Sequence, residues 1–311
     1  MGGKTVAITG VTGYFSQMLL PYLERDAEIG RVIGIDRRTP RGSVGRNKVT
    51  FHQCDVRDPA LEGLLAGADV LVHLAFVLMR LPGAKELDEN NIGGTQAVCE
   101  AAARQGVRKL IVLSSVVAYG LHADNPIPLT EESPLRPNHG LYYSRQKVAI
   151  ERYLDVFERA HPEMIVTRLR PCTVIGPHAD PAQMASLTST IVPAIWGADP
   201  PLQLLFEEDM ASALYLVIQK DAPGVYNVTG DEPRTLRELV RVRGGRVIPL
   251  PYPLVVGLMA LTWRTGQSVF APEWADLSRY PLVASNKKLK GLGWVPKYTT
   301  TEALMALVEA G

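Results

Sequence analysis

The chain has 311 residues, 46% of them hydrophobic and 21% charged, which is enough to bury a large core and to divide into two lobes. Its formal charge of +1 gives no reason to expect a nucleic-acid or acidic-membrane partner. Cys54, Cys99 and Cys172 are odd in number and widely spaced, and the six histidines show no paired spacing, which argues against a disulfide framework and against a metal site.

In chain order, Lys4–Thr9 reads as a short buried strand, leaving no room for a signal peptide ahead of it, so a cytoplasmic protein is expected. It runs into Gly10-Val11-Thr12-Gly13-Tyr14-Phe15-Ser16 and an apolar-periodic helix through Leu23. Gly10 permits a tight turn. Gly13 lets a pyrophosphate approach a helix N-terminus, where unpaired N–H groups and the helix dipole favour anions. The next strand, Arg31–Asp36, ends in a carboxylate at the interval where a dinucleotide fold needs a ribose-hydroxyl acceptor. Further strands are expected at Val49–Cys54, Val70–Ala75, Lys109–Ser114 and Ile165–Arg170, with helices at Pro59–Leu65, Asp88–Arg104 and Tyr143–Ala160. Such alternation argues for an α/β fold, a Rossmann-type doubly wound parallel sheet covered on both faces, over residues 1–176. Beyond Gly176 the sequence is Pro-rich, with shorter helices at Asp209–Gln219, Thr235–Val240 and Thr301–Ala310. Residues 177–311 are therefore expected to form mainly a smaller substrate-binding lobe, some of whose segments return to the sheet. The apolar run Leu254–Trp263 is too short for the roughly 20 residues of a membrane span and is expected to be a buried or pocket-lining helix.

Within Tyr142-Tyr143-Ser144-Arg145-Gln146-Lys147, a phenol and an ammonium four residues apart share one helix face. A phenol ionises near pH 10 and is a poor base at neutral pH unless positive charge stabilises the phenolate, which Lys147 could supply.

Taken together, the residues resemble the extended short-chain dehydrogenase/reductase family, the group of NAD-dependent epimerases, dehydratases and hydroxysteroid dehydrogenases. The matching segments span almost the whole chain: Thr9–Phe15, Gly34-Ile35-Asp36, Cys54–Asp58, Val72–Ala75, Asn91–Thr95, Leu113-Ser114-Ser115 through Gly120, the Tyr143/Lys147 pair, Arg170-Pro171, Gly176-Pro177 and Leu292–Pro296. The resemblance implies that Gly10, Thr12, Gly13, Tyr14 and Phe15 wrap the pyrophosphate and that Asp36 holds the adenosine ribose. It places Asp55 and Val56 beside adenine, and Leu74, Ala75, Phe76 and Asn91 along the wall towards the ribose, although Asn91 could equally cap a helix. It adds Leu113 and Pro171 to the cofactor site. Ser16 replaces the family's third glycine, which calls for slightly looser helix–strand packing.

A carboxylate at Asp36 accepts a free 2′-hydroxyl and repels a 2′-phosphate, so NAD is expected over NADP, with Arg37 and Arg38 either solvated, stacked on adenine or able to admit the phosphate. By the same resemblance Tyr143 is the acid–base group, Ser115 hydrogen-bonds the reacting oxygen, and Lys147 anchors the nicotinamide ribose and, with the charge of oxidised nicotinamide, lowers the phenol pKa. Ser114 and Tyr142 are the rival hydroxyl and phenol. Sugar-nucleotide epimerases of the family hold the substrate diphosphate partly with an Asn and an Arg; the corresponding positions here are Thr173 and Leu202, and Arg136, Arg145, Arg234 or Arg264 could compensate from elsewhere. The expected activity is thus NAD-dependent oxidation or reduction of a secondary alcohol or ketone, with an apolar, hydroxysteroid-like substrate in view. The alternatives are a UDP-sugar 4-epimerase with tightly bound NAD and a non-catalytic NAD-binding scaffold. The resemblance also implies a homodimer paired through the helices at Asp88–Arg104 and Tyr143–Ala160.

Overall fold

The computed structural model describes residues 3–40, 47–78, 87–268 and 270–310. Seven parallel strands form the central sheet: β1 (Lys4–Thr9), β2 (Ile29–Asp36), β3 (Val49–Gln53), β4 (Val70–His73), β5 (Lys109–Leu113), β6 (Ile165–Pro171) and, from far along the chain, β11 (Gly224–Val228). Their order is β11-β6-β5-β4-β1-β2-β3. Alternate residues of each strand feed two separate cores. Val6, Ile8, Val72 and Ile111 face one side, packed with Leu19 and Leu23 of α1 (Tyr14–Arg25) and Leu214 and Val217 of α6 (Glu207–Gln219). Ala7, Leu71, Leu110 and Val112 face the other, against α2 (Ala60–Leu64), α3 (Gly94–Arg104) and α4 (Tyr142–Ala160). Strands buried on both faces read as continuous apolar runs, which is why these segments stand out in the sequence.

The strand order reverses at β1, which lies between β2 and β4. That opens a crevice at the carboxyl ends of β1 and β4, the place where doubly wound sheets bind ligands. β4 ends at His73, two residues short of expectation. Leu74 and Ala75 leave the sheet to pass over the turn at Gly10, where a Cβ would lie 2.7 Å from the Ala75 nitrogen. The helix expected from Asp88 starts as a wide π turn at Glu89–Gly93 before α3 begins.

The rest of the chain adds three two-stranded ribbons. β7 (Thr173–Ile175) pairs with β10 (Leu204–Phe206), β8 (Ile191–Ile195) with β13 (Arg246–Leu250), and β9 (Pro201–Leu202) with β12 (Arg234–Thr235). Helices α5 (Pro181–Thr188), α7 (Leu236–Val242), α8 (Tyr252–Arg264), α9 (Lys287–Gly291) and α10 (Thr300–Ala310) complete it. Buried polar side chains knit these pieces together. The Gln203 amide donates to the carbonyls of Gly230 and Ala284 and accepts from the Ala284 N–H. Asp209, fully buried, accepts the N–H groups of Lys297 and Tyr298, so the late Trp294-Val295-Pro296 segment has an architectural task. The expectation of a buried or pocket-lining helix at Leu254–Trp263 is not met: no residue of α8 is buried, and it lies outside the main cavity.

Behind the crevice, Glu151 of α4 is fully buried among charges. Its carboxylate accepts from Nε and Nη2 of Arg170 at 2.7 and 3.0 Å, from Nη1 of Arg168 at 3.1 Å, and from the Ser114 hydroxyl at 2.6 Å. Burial pushes this carboxyl up, but the arginine and serine bonds outweigh it and hold the group below the ordinary glutamate range. A depressed folded pKa stabilises the fold above the unfolded value of about 4.3, and that contribution is lost as the pH falls through the folded value. Glu151→Ala, which strands two buried guanidinium groups, should cost about 3–5 kcal/mol in denaturant unfolding at pH 7, with the gap to the parent shrinking in acid; a loss below about 1 kcal/mol would contradict this placement.

Candidate active site

A cavity of about 840 Å³ runs from Gly10 and Asp36, past Ser115, Tyr143 and Lys147, to the C-terminal ribbons. Its size falls within the roughly 300–1,000 Å³ of ligand sites. At one end Gly10 adopts φ +75 and Gly13 stands as the N-cap of α1 without a side-chain cap, leaving the N–H groups of Tyr14 and Phe15 in the first turn for an anion. Ser16 leaves the turn intact, as expected. It is fully buried, and its hydroxyl donates to the Gly10 carbonyl at 2.9 Å, tying the helix start to the loop.

Thr12 departs from the expected placement on the pyrophosphate: its N–H and its hydroxyl both donate to one oxygen of Asp36, at 3.1 and 2.6 Å. The other oxygen accepts the Arg38 N–H at 3.0 Å, and the Arg38 guanidinium stands 3.7 Å away in solvent. Asp36 is therefore aimed and buried at the end of β2 by its neighbours. The Tyr14 phenol reaches away to Glu207 at 2.7 Å, so the residue can meet an anion only through its backbone. Asp55 takes three bonds from Arg57, which hold its carboxyl low, and Val56 packs on Gly94. A turn without a cap, a carboxylate at the strand end and an elongated cavity between them fit a dinucleotide.

At the middle of the cavity the structure brings Ser115, Tyr143 and Lys147 together. The Ser115 hydroxyl accepts the Val117 N–H at 3.2 Å and stands close enough to the Tyr143 phenol to pull its pKa down. Lys147 donates to the Leu113 carbonyl at 2.8 Å, and its ammonium sits 3.7 Å from the centre of the Phe76 ring and 5.6 Å from that of Tyr143. Burial pushes the phenol up to about 12, with Ser115 pulling the other way, and burial pushes the ammonium down to about 7. Without the cofactor, removal from water is the larger effect on both groups, and it favours the neutral form of each.

The two rivals are spent elsewhere. Ser114 donates to Glu151, and Tyr142, buried, donates to the Leu78 carbonyl. Asn91 is no helix cap. From the π turn its amide exchanges two bonds with the Val77 backbone, at 2.8 and 3.0 Å, and donates to Gln146, so it holds the Phe76–Leu78 stretch in place as a wall. His73 lies beneath, fully enclosed. The Thr95 proton goes to the Asn91 carbonyl, so Nε2 of His73 donates to Thr95 and Nδ1 accepts from Thr9, and burial pushes the imidazole down to about 3. Sequence reasoning missed Trp274, whose ring stacks on Tyr143 with centroids 5.4 Å apart, and Phe270, set edge-on to Trp274 at 5.7 Å. Both come from an irregular stretch after α8 where no periodicity marks them. The arginines considered as compensating anchors, Arg136, Arg145, Arg234 and Arg264, do not line the cavity, whereas Thr173 and Leu202 do.

Residues 6–229 match the NAD-dependent epimerase/dehydratase family. The chain belongs to that family. An uncharacterised protein of Mycobacterium tuberculosis is 30% identical over 313 residues, covering 96% of this chain and 82% of its own. The mouse dTDP-D-glucose 4,6-dehydratase is 24% identical over 335 residues, covering 98% and 88%. The UDP-glucose 4-epimerase of Thermus thermophilus, solved with NAD, shares the fold with a TM-score of 0.76 at 23% identity over 98% of both chains. UDP-N-acetylglucosamine 4-epimerase from Methanobrevibacter ruminantium gives 0.77 at 21%, over 100% and 98%.

As a member of the epimerase/dehydratase family the chain is an NAD-dependent enzyme, and the cavity fits that cofactor. Asp36→Ala should raise the dissociation constant for NAD about tenfold, about 1.4 kcal/mol, and narrow its advantage over NADP, as read by titration calorimetry with both nucleotides; an unchanged NAD affinity would remove Asp36 from the site.

Proposed function

We propose that this family member oxidises and reduces a secondary alcohol and its ketone on an apolar substrate that carries no nucleoside diphosphate. One observation carries the reading. Beyond Tyr143 the cavity is lined by Val116, Val117, Leu204, Trp274 and Leu277 among uncharged polar side chains such as Gln183 and Gln203, with no lysine or arginine among the described residues there. Its charged groups at that end are Asp180 and Asp199, the second paired with Arg237 of α7. A diphosphate drawn into this lining without charge-assisted donors would be costly, whereas an apolar skeleton gains by leaving water.

In this reading Tyr143 receives the proton of the substrate hydroxyl and Ser115 bonds the same oxygen, fixing its angle to the phenol. Bound NAD supplies the hydride acceptor and, when oxidised, a positive charge. Lys147 holds the nicotinamide ribose, and once protonated its charge favours the phenolate. Gly10, Gly13, Tyr14 and Phe15 meet the pyrophosphate through their backbone. Asp36 takes the adenosine ribose, with Arg37 and Arg38 at the rim. Asp55 and Val56 flank adenine, while Leu74, Ala75, Phe76, Leu113 and Pro171 wall the path between. Trp274, stacked on the phenol, roofs the reacting atoms and excludes water. A homodimer would pair α3 and α4; Ala101 and Ala102 are turned onto the chain's own sheet, so such a face would use Gln96, Glu100, Tyr153 and the exposed Val156.

The second reading, a UDP-sugar 4-epimerase, draws on relatives such as UDP-glucose 4-epimerase 2 of Arabidopsis thaliana, 29% identical over 197 residues covering 56% of this chain and 53% of its own. Apolar secondary alcohols and UDP-sugars, each incubated with the enzyme and NAD, separate the two. Accumulating NADH absorbance with the alcohols is expected; an isomerised sugar without net NADH would replace the proposal. Tyr143→Phe should lower kcat by about 10²-fold or more while NAD still binds, and substantial residual turnover would displace Tyr143 as the acid–base group.

A further inference from the structure

α8 presents to solvent a face that helices of water-soluble domains usually keep polar. It carries no charged residue before Arg264, and Leu254, Leu258 and Leu261 form an outward stripe at spacings of four and three, exposed by 48%, 45% and 60%. Its other side packs on the Pro272–Ser278 turn that bears Trp274. The ribbon of β8 and β13 is exposed in the same way. Ile191 stands opposite Arg246 and Pro193 opposite Ile248, and all four are open to water, as is Trp196 just beyond β8. The charge around this surface is as uneven as its polarity. Residues 234–280 hold seven arginines and three carboxylates, although the whole chain is at +1; Arg234 and Arg237 are paired with Glu232 and Asp199, which leaves five arginines against those three carboxylates. Arg279 lies 4.7 Å from the ring of Tyr252 at the start of α8, Arg264 closes its last turn, and Arg246 shares the exposed ribbon face.

An apolar stripe bracketed by arginines is the pattern of a helix that lies in a lipid headgroup layer, its leucines at the acyl boundary and its guanidinium groups on phosphates. A second copy of the chain suits it less well, because a two-fold contact would set this arginine-rich surface against itself. No helix among the described residues is long and apolar enough to cross a membrane, so the contact is with one face of the bilayer. We propose that the C-terminal portion of the protein docks on anionic lipid bilayers through the α8 stripe and the adjoining β8–β13 ribbon. The docking does not depend on which substrate the cavity takes.

The test is co-sedimentation of the full chain with vesicles of phosphatidylcholine alone and of phosphatidylcholine with phosphatidylglycerol, at low and high salt. Binding to the anionic vesicles is expected, weakened by salt and at least about fivefold weaker on phosphatidylcholine. The triple variant L254S/L258S/L261S should lose about tenfold or more on anionic vesicles, and R246E/R264E should lose a similar factor together with most of the salt dependence, with NAD affinity unchanged in both. Absence of binding to anionic vesicles, equal binding to both lipids, or retention of binding by both variants would each overturn the proposal. So would a wild-type dimer, seen by light scattering, that the triple variant dissolves while vesicle binding is absent.

Discussion

Two arginines of β6 hold the carboxylate of Glu151 in a dry interior, and the rest of the site depends on that grip. Glu151 is one turn beyond Lys147 on α4, and its bonds to Arg168, Arg170 and Ser114 fix both the rotation and the height of the helix against β5 and β6. A helix free to turn would carry Tyr143 and Lys147 away from the crevice together. The chain goes on from Arg170 to the Tyr119 phenol and from there to Asn227 of β11, so the strand returning from the C-terminal portion is tied to the same network. A buried ion cluster is a poor source of net stability, but it penalises every wrong alignment, and alignment is what a site of this kind requires.

Burial then sets the resting state of the reacting pair. Taken out of water, the phenol is pushed up and the ammonium down, so both are neutral over part of the range between about 7 and about 12. Positive charge delivered next to the phenol reverses that balance. In the proposed mechanism this makes Tyr143 a base in the company of oxidised cofactor and a bystander without it. His73 beneath the pair adds no competing charge, because its two threonine partners and its burial keep it neutral.

The family supplies a shared cofactor half, and the proposed function turns on the substrate end. There the described lining mixes apolar side chains with Thr173, Gln183, Gln203, Ser278, Tyr280 and two carboxylates, and holds no lysine or arginine. The same preference for apolar surface continues outside the cavity on α8 and the β8–β13 ribbon, on the far side of the turn that carries Trp274. Inner and outer surfaces of one lobe thus point to the same kind of chemistry, although each is tested separately.

Local pattern was enough to recover the parallel sheet, the glycine turn, Asp36 and the Tyr143/Lys147 pair. A strand buried on both faces, a turn that needs φ above zero and two side chains one helical turn apart are all consequences of short-range geometry, and short-range geometry is written in consecutive residues. Family resemblance already preferred Ser115 to Ser114 and Tyr143 to Tyr142. The tertiary structure engages the two rivals elsewhere, Ser114 with Glu151 and Tyr142 with the Leu78 carbonyl. It alone placed Trp274 over Tyr143, turned Thr12 to Asp36 and left α8 open to solvent where burial was expected. Each of these depends on what a distant segment brings to the same point in space, and an apolar run reads the same whether its partner is a core, a cavity or a lipid surface.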